Sequence, residues 1–186
     1  PSPWGGVVAA GWIALIGSLA SLGLGLSAWN TFRLVNPSGV GFAMIEEAAW
    51  FPAIGASFKL GLDGISLAMV LLTLLLTPLS ILASFKIEEK VKAYMMLFLF
   101  LETGMLGVFL ALDLFLFFVF WEIGLVPMYF LIHIWGGEKR DYASLKFILF
   151  TMGGSLGLLL AIQLIGALTG TFDLTRLVEL WPNLKT

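Results

Sequence analysis

The feature that most constrains this chain is a series of long apolar runs, each about 20 residues long and almost free of charge. At a rise of about 1.5 Å per residue, a helix of that length crosses a hydrocarbon core of about 30 Å. Hydrophobic residues make up 60% of the chain and charged residues only 12%, whereas soluble domains are about half apolar and one quarter charged. The sequence therefore predicts a membrane protein with several spans.

The apolar runs define five spans within a single membrane domain, residues 1–186. Their expected bounds are 7–28, 64–85, 93–112, 114–135 and 147–168. The runs lack the alternation of barrel strands, so the predicted fold class is all-α: a polytopic transmembrane helical bundle. Asp113 is the only charged residue between the third and fourth runs. We expect a tight turn there, because one continuous helix would be much longer than the bilayer is thick.

The basic residues predict the topology, because short loops rich in Lys and Arg stay on the cytoplasmic or equivalent side. The loops 86–92 and 136–145 carry such residues and lie on one side, which we call the inner side. The segment 33–61 then becomes an outer loop with interfacial aromatic residues. The tail 172–181 has the pattern of a short amphipathic helix on the same outer side.

The remaining composition excludes several classes of function. The net charge is −2 and no basic stripe is present, so we expect no nucleic-acid partner. The chain has no Cys and a single His, so no iron–sulfur ligation is possible within it and no metal site is expected. Pro1 leads almost directly into an apolar run, and no signal peptide is expected. We expect the chain to be a piece of a longer protein.

Glu122 is the strongest candidate functional residue, because it lies near the centre of the fourth span. An ionised carboxylate at that depth costs at least about 2.5 kcal/mol. A buried carboxylate that is balanced between desolvation and a nearby cation can gain and lose a proton, as a proton relay requires. The alternative is a carboxyl group that stays protonated and hydrogen-bonded to a neighbouring helix. Glu102, central in the third span, is a second candidate by the same argument.

Two further residues of the fourth span allow both a functional and a structural interpretation. Pro127 has no N–H for the carbonyl of Ile123, so a kink near Glu122 could admit water; Pro also shapes packing in many membrane helices. His133 follows Glu122 by 11 residues, which places both on one helix face. It could serve a half-channel, since His titrates near neutral pH, or it could be a hydrated interfacial residue.

Lys146 opens the fifth span and has two interpretations. Its ammonium group could reach the inner interface, which is inexpensive near a helix end. It could also be a cation beside a proton path. The two residues differ in depth by roughly 14 Å at 1.5 Å per residue, which disfavours a direct salt bridge between Lys146 and Glu122. Asp63 and Asp113 lie at outer boundaries, where headgroup water can solvate them, and Asp63 could cap the second span.

Several motifs occur together in a specific order. The segments LDGISLAMVLLT (62–73), GVFLALDLFLFFVFWEIGLVPMYFLIHIWGG (107–137) and YASLKFILFTMGGS (142–155) closely resemble subunit M of the proton-pumping NADH–quinone oxidoreductases. The chain is also similar to the corresponding D-type subunit of the cyanobacterial and plastid NDH complex. The resemblance covers about residues 60 to 168 and is weaker at both ends.

The resemblance implies an antiporter-like subunit of a membrane arm, with a central line of charged residues joined by water. The Glu of the family's FWE motif matches Glu122, and the Lys of its KF motif matches Lys146. One helix before the first span, and the later helices that carry the partner lysine, are absent from this sequence. The chain would then be the N-terminal part of such a subunit. Glu102 and His133 have no firm match in the family's functional set.

The expected function is proton translocation through this relay, coupled to electron transfer in other subunits. The chain would be a non-redox subunit of an enzyme with no catalytic residue or cofactor of its own; flavin, iron–sulfur clusters and quinone are expected in partner subunits. The membrane would be a bacterial plasma membrane or an equivalent energy-transducing one. Alternatives are a subunit of a multisubunit Na⁺/H⁺ antiporter, one of a membrane-bound hydrogenase-type complex, or a scaffold without a titrating role.

Overall fold

The computed structural model describes residues 3–180, and the side chains from Val8 onward. Five long helices and one short helix follow one another along the chain: α1 (Pro3–Val35), α2 (Gly64–Ala83), α3 (Val91–Leu110), α4 (Leu114–Trp135), α5 (Arg140–Thr169) and α6 (Leu174–Leu180). Among the described residues, five helices are long and apolar enough to cross a membrane. The predicted polytopic helical bundle is therefore confirmed.

Two helices extend beyond the spans that hydropathy predicts, whereas α4 has the expected bounds. α1 continues past residue 28 to Val35 and stops before Pro37, a residue type that disfavours helix in the position before it. α5 begins at Arg140, seven residues before Phe147, and has Asp141 in its first turn. An acidic residue there interacts favourably with the helix dipole. Hydropathy detects the apolar part of each helix but not its polar ends.

The segment 33–61 is not the loop that the sequence suggests. It contains an antiparallel hairpin of β1 (Ala43–Phe51) and β2 (Ala56–Leu62). β2 also touches the turn between α3 and α4: Leu60 forms an isolated bridge with Ala111, and the N–H of Leu112 donates to the carbonyl of Lys59 at 2.9 Å. The hairpin is therefore attached to the outer end of the bundle.

The first three helices pack against one another around two apolar clusters. The outer cluster is centred on Phe32, Leu67, Val70 and Leu74, and the inner cluster on Ala14, Leu15, Ile81, Val91 and Met95. α4 packs on α3, and α5 packs on α4. A third cluster, with Ile162 and Phe172 at its centre, closes the outer end of the α4–α5 interface.

Acidic residues begin two of the helices. The Asp63 carboxylate accepts from the N–H of Ser66 at 2.7 Å, and the Ser66 hydroxyl accepts from the N–H of Asp63 at 2.8 Å. This capping box satisfies amide groups that have no partner within α2. Asp113 caps α4 in a similar way. The tight turn expected at Asp113 is present.

Candidate functional site

Glu122 lies near the middle of α4, eight residues after Leu114. Its Oε1 atom is buried and has no hydrogen-bond partner in the part of the chain that the structure describes. Buried polar atoms in folded proteins are nearly always hydrogen-bonded. The unpaired oxygen in the middle of a membrane helix makes Glu122 a candidate functional residue, because ionisable groups at that depth are rare and usually functional.

One face of α4 carries Glu122 together with His133 and Tyr129. Eleven residues make about three helical turns, so Glu122 and His133 share this face. The Tyr129 ring stacks on the imidazole, with 5.6 Å between centroids and 8° between planes. The Nδ1 atom of His133 lies 3.3 Å from the Ser144 hydroxyl and 3.5 Å from a carboxylate oxygen of Asp141. This face of α4 therefore meets the start of α5.

The face of α5 turned towards α4 carries hydroxyl groups. Ser144, Ser155 and Ile162 are buried, and spacings of 11 and 7 residues place them on one side of the helix. The two helices run antiparallel, and Ser144 contacts His133. Ser155 lies 11 residues after Ser144, and Glu122 lies 11 residues before His133. Since Ser144 and His133 are in contact, Ser155 lies near the depth of Glu122. We call the following set the α4–α5 polar stripe: Glu122, Tyr129, His133, Ser144 and Ser155.

Lys146 is on the other side of α5. Residues two positions apart in a helix are separated by about 200°, so Lys146 points nearly opposite to Ser144. The side chain is exposed, and its ammonium group lies 5.6 Å from the ring centre of Tyr142 and 5.7 Å from that of Phe150. The described residues include no ion pair between Lys146 and Glu122. A relay role for Lys146 stays a prediction that would need connecting water or a further helix.

Pro127 is fully buried inside α4, five residues after Glu122. It removes the N–H that would bond the carbonyl of Ile123, yet the helix continues through it to Trp135. Its burial is consistent with a packing role. The free carbonyl is also an acceptor next to the candidate carboxylate, so a role in hydrating the site stays a prediction.

Glu102 lies on the opposite side of the α3–α4 pair from the polar stripe. It is 4% exposed, and its Oε1 atom has no hydrogen-bond partner within residues 8–180. Leu99 and Leu106, three residues before it and four after it, pack against the clusters that α3 shares with α1 and α2. Glu102 therefore faces the α1–α3 core, whereas Glu122 faces α5.

Two glycines bring the backbones of α3 and α4 into contact. A Cβ atom built on Gly104 would lie 3.2 Å from the Cα and the N atoms of Gly124. Small residues permit such close approach between membrane helices. Glu102 lies two residues before Gly104, and Glu122 lies two residues before Gly124. Because the helices are antiparallel, the two carboxyl groups differ in depth by about 6 Å, or four residues.

A polar cluster at the outer end was missed by the sequence analysis. The Lys59 ammonium donates to Asp173 at 2.7 Å and to the Thr175 hydroxyl at 3.0 Å, and it lies 3.3 Å from Glu47. Lys59 and Asp173 are 7% and 6% exposed. The partners are 114 residues apart in sequence, and no local pattern pairs them. We call Glu47, Lys59, Asp173 and Thr175 the outer ion-pair cluster.

The pKa shifts in this cluster have opposing causes. Burial alone would lower the pKa of Lys59, but its hydrogen bonds to Asp173 and Glu47 and their charges raise it above its usual range. Burial alone would raise the pKa of Asp173, but hydrogen bonds from Lys59 and Thr175, together with the charge of Lys59, lower it. Both groups are therefore held in their charged forms.

Asp113 is fully buried, so its expected exposure to headgroup water is wrong. One carboxylate oxygen accepts from the N–H groups of Phe115 at 2.9 Å and Leu116 at 3.1 Å. The other accepts from the N–H of Ser57 in β2 at 2.9 Å. The residue both caps α4 and binds the hairpin. In the described part of the chain, no group of three or more His, Cys, Asp or Glu side chains could hold a metal ion.

Two adjoining family models match most of the chain. One, described as "NADH-ubiquinone oxidoreductase chain 4, amino terminus", covers residues 27–113, and the other, "NADH:quinone oxidoreductase/Mrp antiporter, TM", covers residues 111–186. The α4–α5 polar stripe falls within the second. The chain therefore belongs to the family of antiporter-like membrane subunits found in NADH–quinone oxidoreductases and Mrp antiporters.

Individual relatives agree with this family. NADH-quinone oxidoreductase subunit M of Rhodobacter capsulatus is 43% identical over 168 residues, which are 90% of this chain and 32% of the relative. A chain of respiratory complex I from Thermus thermophilus with bound NADH has a TM-score of 0.71 at 34% identity, over 93% of this chain and 37% of that one. A chain of the Mrp complex from Dietzia sp. has a TM-score of 0.74 at 26% identity, over 89% of this chain and 17% of that one. This chain thus spans about a third of the length of its curated relative.

Proposed function

We propose that this chain is part of a proton-translocating membrane-arm subunit of an NADH–quinone oxidoreductase. The observation that carries the proposal is Glu122, a carboxyl group with a buried, unpaired oxygen in the middle of α4. The similarity to subunit M of Rhodobacter capsulatus supports the oxidoreductase. The chain itself would hold no redox centre. Flavin, iron–sulfur clusters and quinone would be bound by partner subunits, in a bacterial plasma membrane or an equivalent membrane.

The α4–α5 polar stripe supplies the start of a proton path. His133 lies at the inner end of this stripe, where its contact with Asp141 meets the aqueous side. Hydroxyl groups of Ser144 and Ser155 line the interface towards Glu122. A proton that reaches Glu122 neutralises a carboxylate charge that is costly at this depth. A change of charge on a neighbouring group would then release the proton from Glu122.

The experiment that tests this function is Glu122→Gln in the full-length subunit within the intact complex. Proton uptake driven by NADH is measured in inverted membrane vesicles, beside NADH oxidation by an artificial acceptor as a check on assembly. We expect pumping to fall by about tenfold or more, because an amide has the shape of the acid but carries no transferable proton. Glu138→Gln is the matched control, since Glu138 is exposed in the loop after α4. Normal pumping in Glu122→Gln would remove the relay role.

A second candidate is a subunit of a multisubunit Na⁺/H⁺ antiporter. The fold of an Mrp complex chain, with a TM-score of 0.74, favours it. The two functions differ in their energy source. A pH change that requires sodium but no electron donor would support the antiporter, whereas one that requires NADH would support the oxidoreductase. A membrane-bound hydrogenase-type complex would instead require a different electron donor.

A further inference from the structure

The α1–α3 core contains a thin polar layer between its two apolar clusters. Ser18 of α1 and Thr77 of α2 are 0% and 5% exposed, and Glu102 of α3 is 4% exposed. Each of these residues belongs to a helix that also contributes to the apolar clusters above and below. We call Ser18, Thr77 and Glu102 the core polar layer.

The sequence spacing places the three residues at similar depths. Thr77 follows Leu74 of the outer cluster by three residues and precedes Ile81 of the inner cluster by four. Ser18 and Glu102 also lie between the two clusters on their own helices, three residues from the inner cluster and four from the outer one. Since a helix rises about 1.5 Å per residue, each of the three residues lies within about 6 Å of both clusters along its helix axis.

The hydroxyl hydrogens of Ser18 and Thr77 are already donated within their own helices. The Ser18 hydroxyl donates to the carbonyl of Leu15 at 3.0 Å, and the Thr77 hydroxyl donates to the carbonyl of Thr73 at 3.0 Å. Each keeps lone pairs on its oxygen. Pro78 has no N–H for the carbonyl of Leu74, which is one more acceptor in α2. The layer therefore offers hydrogen-bond acceptors near the depth of Glu102, whose Oε1 atom is hydrogen-bonded to neither hydroxyl among the described residues.

No charged group of the core faces Glu102 among the described residues. α2 contains no titratable side chain, and the charged group of α1 is Arg33, near its outer end. On α3, Lys92 and Tyr94 lie more than two turns away at the inner end. On α4, Glu122 and His133 face α5. A structural ion pair thus does not account for a buried carboxyl group at this position, and carboxyl groups within membrane helices mark proton or ion pathways.

We propose that Glu102 is a second proton-binding site, which takes up and releases one proton within the core polar layer. The step is the reversible conversion of a carboxylate and a proton to a carboxylic acid, and it requires no further reactant. This site lies on the opposite side of the α3–α4 pair from the polar stripe and is distinct from Glu122. The inference rests on the proposed function in one respect: the proton bound by Glu102 contributes to the same translocation.

Infrared difference spectroscopy of the purified intact complex tests the binding step directly. We expect a carboxylic-acid C=O band whose intensity changes with pH in the wild type and in Glu122→Gln, and which is missing in Glu102→Gln. Thr77→Val should shift the frequency of the band without removing it, since valine has the shape of threonine but no acceptor. A spectrum that is the same in wild type and Glu102→Gln would overturn the proposal. If Glu102→Gln does not assemble, a band unaffected by Thr77→Val would overturn it.

Proton pumping separates this proposal from the proposed function. We expect Glu102→Gln to pump clearly less than the wild type at normal NADH oxidation, and Glu102→Asp to restore pumping because it keeps the acid. Equal loss in Glu102→Asp and Glu102→Gln would indicate a packing role and contradict the proposal. Normal pumping in Glu102→Gln together with loss in Glu122→Gln would refute the second site alone. Normal pumping in both would refute the proposed function.

Discussion

At the level of single residues, the outer ion-pair cluster shows how a buried charge is stabilised outside the membrane spans. Lys59 and Asp173 are almost fully buried, 2.7 Å apart, and further bonded to Thr175 and Glu47. A buried pair stabilises little relative to apolar residues, but removal of Asp173 would leave the buried Lys59 ammonium with only the half-exposed Glu47 as its ionic partner. The cluster joins β2 to the start of α6, so its loss would loosen two elements.

The first prediction concerns Asp173→Asn. We expect the free energy of unfolding to fall by up to about 3 kcal/mol, because the buried Lys59 ammonium would keep only Glu47 as its ionic partner. The measurement is the thermal denaturation of the detergent-purified complex, in which release of the subunit is recorded as the temperature rises. Glu89→Gln is the matched control: Glu89 pairs with Lys90 at 3.9 Å on the surface, and such pairs contribute about 0 to 1 kcal/mol. An equal loss of stability in Asp173→Asn and Glu89→Gln would contradict a larger contribution from the buried pair than from the surface pair.

The pKa shifts of the cluster set its pH range. The pKa of Asp173 is lowered, so the stabilisation it provides is present above its ordinary value of 3.8 and is lost as the pH falls through the lowered pKa. The pKa of Lys59 is raised, so its contribution is complete below 10.5 and is lost as the pH rises through the raised value. We expect the destabilisation by Asp173→Asn to be constant between these limits and to diminish in stronger acid. A stability difference between the two proteins that changes steadily across neutral pH would contradict this assignment.

At the level of elements, the contact between α3 and α4 depends on one glycine more than on the other. A methyl group on Gly104 would press against the backbone of Gly124 at 3.2 Å, whereas one on Gly124 meets no atom within 4 Å among the described residues. We expect Gly104→Ala to lower the stability of the subunit by about 1 to 3 kcal/mol, since overpacking displaces backbone. Gly124→Ala, the matched control, should leave it nearly unchanged. Thermal denaturation of the assembled complex measures the stability of both variants. A larger loss of stability in Gly124→Ala than in Gly104→Ala would show that α3 and α4 cross in a different geometry.

The sequence predicts the helices well because uncharged runs of membrane length have few other stable structures. α4 has the expected bounds, and Asp113 forms the expected turn. The hairpin could not be predicted in the same way. Its strands, AMIEEAAWF and ASFKLGL, are rich in Ala and charged residues and lack regular β-branched alternation. Contacts with the turn at residues 111–113 hold β2 in place, and such contacts are not visible in local sequence.

The candidate site could be predicted only in part. The cost of a central carboxylate identifies Glu122 and Glu102 from sequence, and helical spacing identifies the face that Glu122 shares with His133. Sequence alone does not show that Lys146 is on the side of α5 away from α4, because a helix face acquires meaning only once its neighbour is known. The role of each of these side chains in proton transfer stays a prediction.

At the level of the whole molecule, the arrangement of loops predicts an orientation in the membrane. The turns at residues 86–90 and 136–139 lie at one end of the bundle, and the hairpin lies at the other. The sequence contains no Cys, so single cysteines can be introduced without background from this part of the subunit. We expect Lys90→Cys and Lys139→Cys to react with a membrane-impermeant maleimide only in inverted vesicles. Ser38→Cys, before the hairpin, should react only in right-side-out spheroplasts.

A uniform reaction from both sides would show leaky membranes, and the reverse pattern would contradict the assignment of the basic loops to the inner side. Mass spectrometry of the labelled subunit identifies the modified position. The three cysteines control for one another, because two sites share one compartment and the third lies in the other. The same membranes can be used for the proton-pumping measurements, which require a known orientation.

The close contact of Gly104 with Gly124 separates the two central carboxyl groups, Glu102 and Glu122, from each other. At Gly104 and Gly124 the two backbones touch, and the groove beside this contact is lined by apolar side chains such as Leu101, Val108 and Leu125. The helix pair therefore places an apolar layer between two acidic side chains, one on each side. The electric field of a charge on one of them reaches the other through this layer, because a medium of low polarity screens charge far less than water does.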